Sequence, residues 1–191
     1  MTAIMNASTP NTRPQDLDQD EPLYEIIDGE RVELPPMSIL SNQVASLLHG
    51  ELSHHLKAHP TGRGFMEALF RLPLPIDRNR RPDVAYASNE RIAQASSQSG
   101  SENAWAIVPE LMVEVVSPSD LAEEIMEKLT EYFAAGATLV WVIYPTRRFV
   151  YVYEGLKQVR ILDQDDELDG GRVLTNFKIP IGNLFPDFPT G

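Results

Sequence analysis

The segment Leu111-Met112-Val113-Glu114-Val115-Val116 constrains this chain more than any other. It is apolar on both alternating faces, which describes a strand at the centre of a sheet covered on either side; a strand with one wet face alternates apolar and polar residues instead. Glu114 is the exception within it. An unpaired carboxylate buried in such a strand is costly, so something positive should meet it, and a metal ion or a lysine would qualify. A structural ion pair, or a side chain reaching the rim of the sheet, would meet the same demand.

The surrounding pattern predicts an α/β fold. Tyr24 to Ile27, Asp28-Gly29 and Glu30 to Leu34 read as a β-hairpin, with Asp-Gly supplying the positive φ angles of a tight turn. From Ser38 to Lys57, residues Ile39, Leu40, Val44, Leu47, Leu48, Leu52 and Leu56 recur at helical spacing. Gly62 and Gly64 then break the pattern before a strand over Phe65 to Leu72, and a Pro- and Arg-rich turn leads to a strand over Asp83 to Ala87. The Ser- and Gln-rich stretch from Ala93 to Asn103 reads as a mobile loop. Ser117-Pro118-Ser119-Asp120 is predicted to cap a second helix that Gly136 stops. Leu139 to Tyr144 is a further buried strand, and Phe149 to Tyr153 with Gln158 to Leu162 forms a closing meander. The expected architecture is a mixed central β-sheet flanked by helices, with an N-terminal hairpin and a C-terminal β-meander. Residues 1–21 are expected to be a disordered arm and 22–191 a single domain, without internal repeats.

Composition narrows the function. Acids outnumber bases 28 to 16, a formal charge of -12, which argues against a protein that coats nucleic acid by neutralising phosphates. Arg63, Arg71, Arg78, Arg80 and Arg81 nevertheless cluster in sequence and leave room for a local basic rim. With no cysteine, disulfides and thiolate metal sites are excluded. No window reaches the ~18 uninterrupted apolar residues of a membrane helix, and the N-terminus lacks the basic-then-apolar order of a secretory signal. A cytoplasmic protein with no membrane partner is the expectation. His54, His55 and His59 crowd the end of the first helix; a zinc pair and a solvated helix end both fit, but no third ligand is evident. No phosphate-cradling glycine loop or serine-nucleophile elbow is present.

Three residues stand out for chemistry. Asp83 follows Pro82, which cannot donate a ladder hydrogen bond, so Asp83 should lie at a sheet end; a plain turn residue fits as well. Lys128 lies seven residues after Leu121, three after Ile125 and four before Tyr132, at the edge of an apolar stripe completed by Leu129 and Phe133. From there it would either extend to water or cross to a carboxylate on the adjacent strand, steadied by Glu124 one turn earlier. Glu51 and Glu25 are further candidate carboxylates.

Pro82-Asp83, then Pro109 through Asp120 around Glu114, then Glu127-Lys128-Leu129, Tyr132, Gly136 and Trp141 to Pro145 resemble the Uma2 family, of the PD-(D/E)xK restriction-endonuclease-like superfamily. Tyr24 to Glu30 and the closing Val173-Leu174, Phe177, Ile181 and Leu184-Phe185 extend the resemblance over most of residues 23 to 187. The resemblance implies that Asp83 and Glu114 are metal ligands, joined by the main-chain carbonyl of Val115. The superfamily's usual lysine would fall at Val116. Lys128 occupies the place of a substitute on the following helix, and Ser41-Asn42 stands where the family often has a histidine. The implied activity is Mg²⁺- or Mn²⁺-dependent endonuclease cleavage of DNA by a homodimer, since hard oxygen ligands suit these ions. Lys128 would orient or help deprotonate the attacking water and offset charge on the phosphorane. A nuclease-fold module that binds nucleic acid or regulates without cleaving is the alternative, and an acidic protein-interaction domain a third.

Overall fold

The computed structural model describes residues 22–96 and 104–185. The arm expected over 1–21, and the expected loop from 97 to 103, lie outside the described residues. The elements are β1 (Tyr24–Ile27), β2 (Glu30–Glu33), α1 (Ile39–Ala58), β3 (Gly62–Met66), β4 (Phe70–Leu72), β5 (Arg78–Arg80), β6 (Val84–Ser88) and α2 (Asn89–Ser96). After them come β7 (Leu111–Val115), α3 (Ala122–Ala135), β8 (Leu139–Tyr144), β9 (Phe149–Gly155), β10 (Gln158–Leu162), β11 (Glu167–Gly170) and β12 (Leu174–Pro180). Single 3₁₀ turns follow β8 and β12.

A six-stranded sheet in the order β10-β9-β8-β7-β6-β3 forms the centre. It is mixed, as expected: β7 and β8 run parallel and are joined through α3, while the remaining pairs are antiparallel. Side-chain parity along β7 divides the core. Leu111, Val113 and Val115 point to the face covered by Val44, Ala45, Leu48 and Leu52 of α1. Met112 points the other way, with Val140 and Val142, onto Ile125, Leu129 and Tyr132 of α3. Each such aliphatic side chain contributes about 1.5–3 kcal/mol on burial. Glu114 shares the parity of Met112, so its carboxylate is delivered to the α3 face.

The N-terminal hairpin forms as expected, with Asp28 at φ 54° and Gly29 at φ 80°. Ser38 caps α1, its Oγ accepting the Ser41 N–H at 3.1 Å. The buried face of α1 includes Ser41 and Ala45, whereas Ile39 and Leu47, assigned to its apolar stripe, are exposed. Asp120 does not cap α3: it accepts the Ser117 N–H at 2.7 Å in a preceding turn, and Leu121 stands at the helix start without a side-chain cap. Gly136 ends α3 in the left-handed conformation at φ 105°, as expected.

The region between 62 and 88 departs most from expectation. Gly62 and Gly64 lie inside β3 rather than before a strand, and Gly62 is required there because a Cβ would sit 2.2 Å from the Ala87 carbonyl oxygen. The single strand expected over Phe65 to Leu72 is two strands, interrupted at Glu67 by a φ of 48°. The Arg-rich turn contains β5. Together β3–β4 and β5–β6 make one long antiparallel hairpin, bent at 67–69 and 81–83. Its inner half belongs to the central sheet. Its outer half joins the N-terminal hairpin in a second sheet of order β2-β1-β5-β4. The start of the expected mobile loop is instead the C-terminal part of α2. β11 and β12, which the alternation rules did not reveal, pair as a separate ribbon whose Leu168, Leu174, Phe177 and Ile179 close the α1-side core.

Candidate active site

The bend in the long hairpin puts Asp83 immediately before β6. The β6–β7 ladder ends at the Val84–Val113 pair, so the main chain of Val115 has no strand residue opposite it on that flank. Asp83 fills the gap: its Oδ2 accepts the Val115 N–H at 2.6 Å. In an extended strand the N–H and C=O of one residue leave on the same flank, so the Val115 carbonyl opens toward Asp83 as well.

Glu114 is 4% exposed. Its Oε2 accepts from Lys128 Nζ at 2.9 Å, and its Oε1 accepts from the Tyr132 hydroxyl at 2.5 Å. Lys128 and Tyr132 are four apart on α3 and so share the face turned to β7. Lys128 does not lean on Glu124, which is exposed; its second partner is Glu25 of β1, at 3.5 Å. Glu25, 1% exposed, accepts the Arg81 N–H at 2.9 Å on Oε1 and Arg80 Nη1 at 2.8 Å on Oε2. Arg80 Nε donates to Glu131 Oε2 on α3 at 2.6 Å, and Arg78 Nε lies 3.0 Å from Glu131 Oε1.

The electrostatics follow from burial and proximity. Burial pushes the Asp83 carboxyl well above the ordinary carboxylate range, and the negative charge of Glu114 pushes it the same way, against the Val115 N–H and Lys128. Burial also raises Glu114, with Glu25 adding to the effect, against the pull of Lys128 and the Tyr132 hydrogen bond. Burial works to discharge Lys128, but Glu114 and Glu25 together outweigh it and hold the ammonium well above its usual proton affinity. Glu25 is lowered despite its burial, because Lys128 and Arg80 both favour its charged form.

The structure therefore brings Asp83, Val115, Glu114 and Lys128 to the C-terminal end of β7 and adds Glu25 beside them. Glu51 is exposed on α1 and takes no part. The expected basic rim does not form as such: Arg78 and Arg80 are buried among Glu25, Glu131, Glu127 and Asp28, and Arg81 donates to the carbonyls of Tyr24 and Glu67. Arg63 is exposed, and so is Arg71, 4.0 Å from Asp77. Tyr132 was legible only as an apolar stripe residue, although its position one turn after Lys128 is the signal that its hydroxyl reaches the same strand. Ser41, in the place of the family histidine, donates to the Val116 carbonyl at 3.2 Å and accepts from Ser117 Oγ at 3.1 Å. His55 and His59 pack ring to ring at 4.7 Å, with Phe177 against His55.

Among the described residues no three His, Cys, Asp or Glu side chains are grouped to hold a metal ion. The donors at the end of β7 still suit a hard divalent cation. Burial raises both carboxyls and the charge of Glu114 further opposes the ionisation of Asp83, a deficit that a cation relieves, and a carboxylate oxygen accepts more than one partner.

The fold is restriction-endonuclease-like. It superposes with a TM-score of 0.73 on a crystal structure described as "a putative nuclease belonging to DUF820 from Anabaena variabilis ATCC 29413", at 20% identity over 85% of this chain and 89% of that one. A cryo-electron-microscopy structure of a DrdV–DNA complex aligns at a TM-score of 0.33 and 11% identity, over 65% of this chain and 12% of that one, a likeness too low to carry an argument. No curated protein matches the sequence. The Uma2 family profile, "Putative restriction endonuclease", matches residues 12–182, and the chain belongs to that family.

Proposed function

We propose that the chain is a divalent-metal-dependent endonuclease that hydrolyses DNA phosphodiester bonds, with Asp83, Glu114 and the Val115 carbonyl as metal ligands and Lys128 as the catalytic cation. The observation that carries this reading is the meeting of two buried acids of raised proton affinity with a charged lysine at the end of one strand. Perturbed groups of this kind concentrate at functional sites. Mg²⁺ or Mn²⁺ would be held by the three oxygen donors and would supply Lewis-acid stabilisation of phosphate charge and a more acidic water.

The protein's own groups define the rest of the chemistry. The Val115 N–H orients the Asp83 carboxylate through Oδ2, and the Tyr132 hydroxyl orients that of Glu114 through Oε1. Because Glu114 and Glu25 keep Lys128 protonated, its role is to donate a hydrogen bond and offset charge on the pentavalent phosphorus, rather than to remove a proton. Among the described residues no helix is long and apolar enough to cross a membrane. A two-fold homodimer would place one site on each strand of a duplex.

The test is Mn²⁺-dependent cleavage of duplex and single-stranded DNA by the native chain and by Asp83→Ala. Cleavage lost in the variant with DNA binding retained supports the reading; a native chain that neither cleaves DNA nor binds Mn²⁺ refutes it. One observation favours the alternative, a nuclease-fold module that binds without cutting. Both oxygens of Glu114 are already hydrogen-bonded by Lys128 and Tyr132, and the basic residues near the site are largely spent on internal acids. DNA binding without cleavage under any divalent metal would select it.

A further inference from the structure

A lysine at the edge of a helix's apolar stripe ordinarily runs its stem over the surface and leaves its ammonium in water. Lys128 does not: its side chain is 16% exposed, and Nζ lies between Glu114 of β7 and Glu25 of β1. Glu25 comes from the second sheet, and both of its oxygens are held independently of Lys128. The Arg81 N–H occupies Oε1 and Arg80 Nη1 occupies Oε2. Arg80 then donates Nε to Glu131, three residues after Lys128 on the same helix. The interactions form a closed ring of Lys128, Glu25, Arg80 and Glu131, entering and leaving α3 on one face.

We propose that Glu25 is the positioning residue for Lys128, and that the Glu25–Arg80–Glu131 ring holds the ammonium against Glu114 and away from solvent. The inference rests on the role assigned to Lys128 above. With Glu114 as sole partner, the ammonium could pivot about one hydrogen bond; a second fixed carboxylate at 3.5 Å sets its direction. Such outer partners orient the groups that do chemistry, and their loss costs about 10- to 100-fold in activity or metal affinity. A purely structural ion network would instead lower stability and leave the turnover of the folded fraction intact. If Glu25 itself bound the ion, its replacement would weaken metal binding.

The experiment uses the full chain with Glu25→Gln, which keeps the shape and removes the charge, and Glu25→Asp, which keeps the charge one methylene shorter. Three quantities separate the readings: kcat and KM for Mn²⁺-dependent cleavage of duplex DNA, Mn²⁺ affinity by electron paramagnetic resonance, and the ¹H–¹⁵N signal of the Lys128 ammonium, assigned by its loss in Lys128→Met. In Glu25→Gln, kcat is expected to fall about 10- to 100-fold with KM and Mn²⁺ affinity unchanged. The ammonium signal, protected in the native chain, should broaden by exchange with water, and Glu25→Asp should recover part of both. An unaltered Lys128 signal overturns the proposal, and so does a loss of Mn²⁺ affinity equal to that of Asp83→Ala. Should Glu25→Gln not fold, Arg80→Lys opens the same ring at the next link, and an unchanged ammonium signal there is equally decisive against it. A native chain that fails to cleave DNA would remove the nuclease reading alone, since the ammonium signal still reports whether Glu25 fixes Lys128.

Discussion

Replacing Arg80 with methionine removes a cation that joins Glu25 to Glu131. The guanidinium is 4% exposed and its partners 1% and 10%, which decides the magnitude. Exposed pairs are worth about 0–1 kcal/mol, whereas deleting one partner of a buried pair costs about 3–5 kcal/mol because the other charge is left in a poor dielectric. Here the remaining contacts soften the loss: Arg78 stays 3.0 Å from Glu131, and Lys128 and the Arg81 N–H stay on Glu25. The expected cost is therefore at the lower end, about 3 kcal/mol. For a chain of this length each kcal/mol moves Tm by about 2–4 °C, so Arg80→Met should melt about 6–12 °C lower. Circular dichroism on heating and urea titration at neutral pH measure it. Because the cost lies in the abandoned acid, the double variant Arg80→Met/Glu131→Met should be less destabilised than the sum of the two single variants. A single-variant loss below about 1 kcal/mol, or strictly additive behaviour of the pair, would refute the view of this network as buried and mutually dependent.

Other outcomes follow from the same geometry. Asp83→Asn retains an oxygen for the Val115 N–H but removes a buried charge facing Glu114. The folded proton affinity of Asp83 is raised above its unfolded value, so native stability falls as pH rises through that interval. In EDTA the variant should melt about 2–4 °C above the native chain at pH 8, for about 1 kcal/mol, and the gap should close as pH is lowered toward the ordinary carboxylate range; a gap that widens on acidification contradicts this. Tyr132→Phe deletes the hydroxyl that donates to Glu114 and should cost about 1.5–3 kcal/mol by denaturant titration. Gly62→Ala drives a Cβ to 2.2 Å from the Ala87 carbonyl and 2.8 Å from Ser88 Cα, backbone atoms that cannot turn aside; Gly64→Ala meets side-chain atoms, Leu52 Cδ2 at 3.1 Å and His49 Cδ2 at 3.6 Å. The first should lose about 1–3 kcal/mol and the second distinctly less in the same titration. Glu51→Gln, on the exposed side of α1, should change stability by no more than about 0.5 kcal/mol.

The strands and helices that bury one continuous apolar stripe were readable because period alone reports them. β8 falls on the expected residues, β7 and α1 within a residue or so, and the N-terminal hairpin is announced by Asp28-Gly29. Glu114 was conspicuous for the same reason, as a charge in a run with no wet face. What escaped was whatever depends on partners distant in sequence. Arg78-Asn79-Arg80 carries no apolar alternation, and it is a strand because its guanidinium groups meet acids from β1 and α3. Read locally, those arginines suggested a surface for nucleic acid; in three dimensions they neutralise the interior. Glu25 is a candidate carboxylate from the sequence, but its partners Lys128 and Arg80 stay hidden there, since its parity in a four-residue strand says nothing of the sheet it joins. The division of Phe65 to Leu72 into two strands turns on a positive φ at Glu67, a residue type that does not advertise one.

The long hairpin bent between β3–β4 and β5–β6 sets uneven rules for how this chain tolerates changes in length. Its tip, from 73 to 77, lies beyond the last paired residues of β4 and β5, and an extra residue there, ahead of Asp77 whose carbonyl accepts the Gly29 N–H, leaves the strand register intact. An extra residue at 81–83 would shift β6 by one position against β7, turn Val84 and Tyr86 out of the core, and carry the Asp83 carboxylate off the Val115 N–H. Relatives should therefore differ in size at the tip and keep a constant count between the Arg80 and Val84 positions, a regularity that any collection of such sequences will expose.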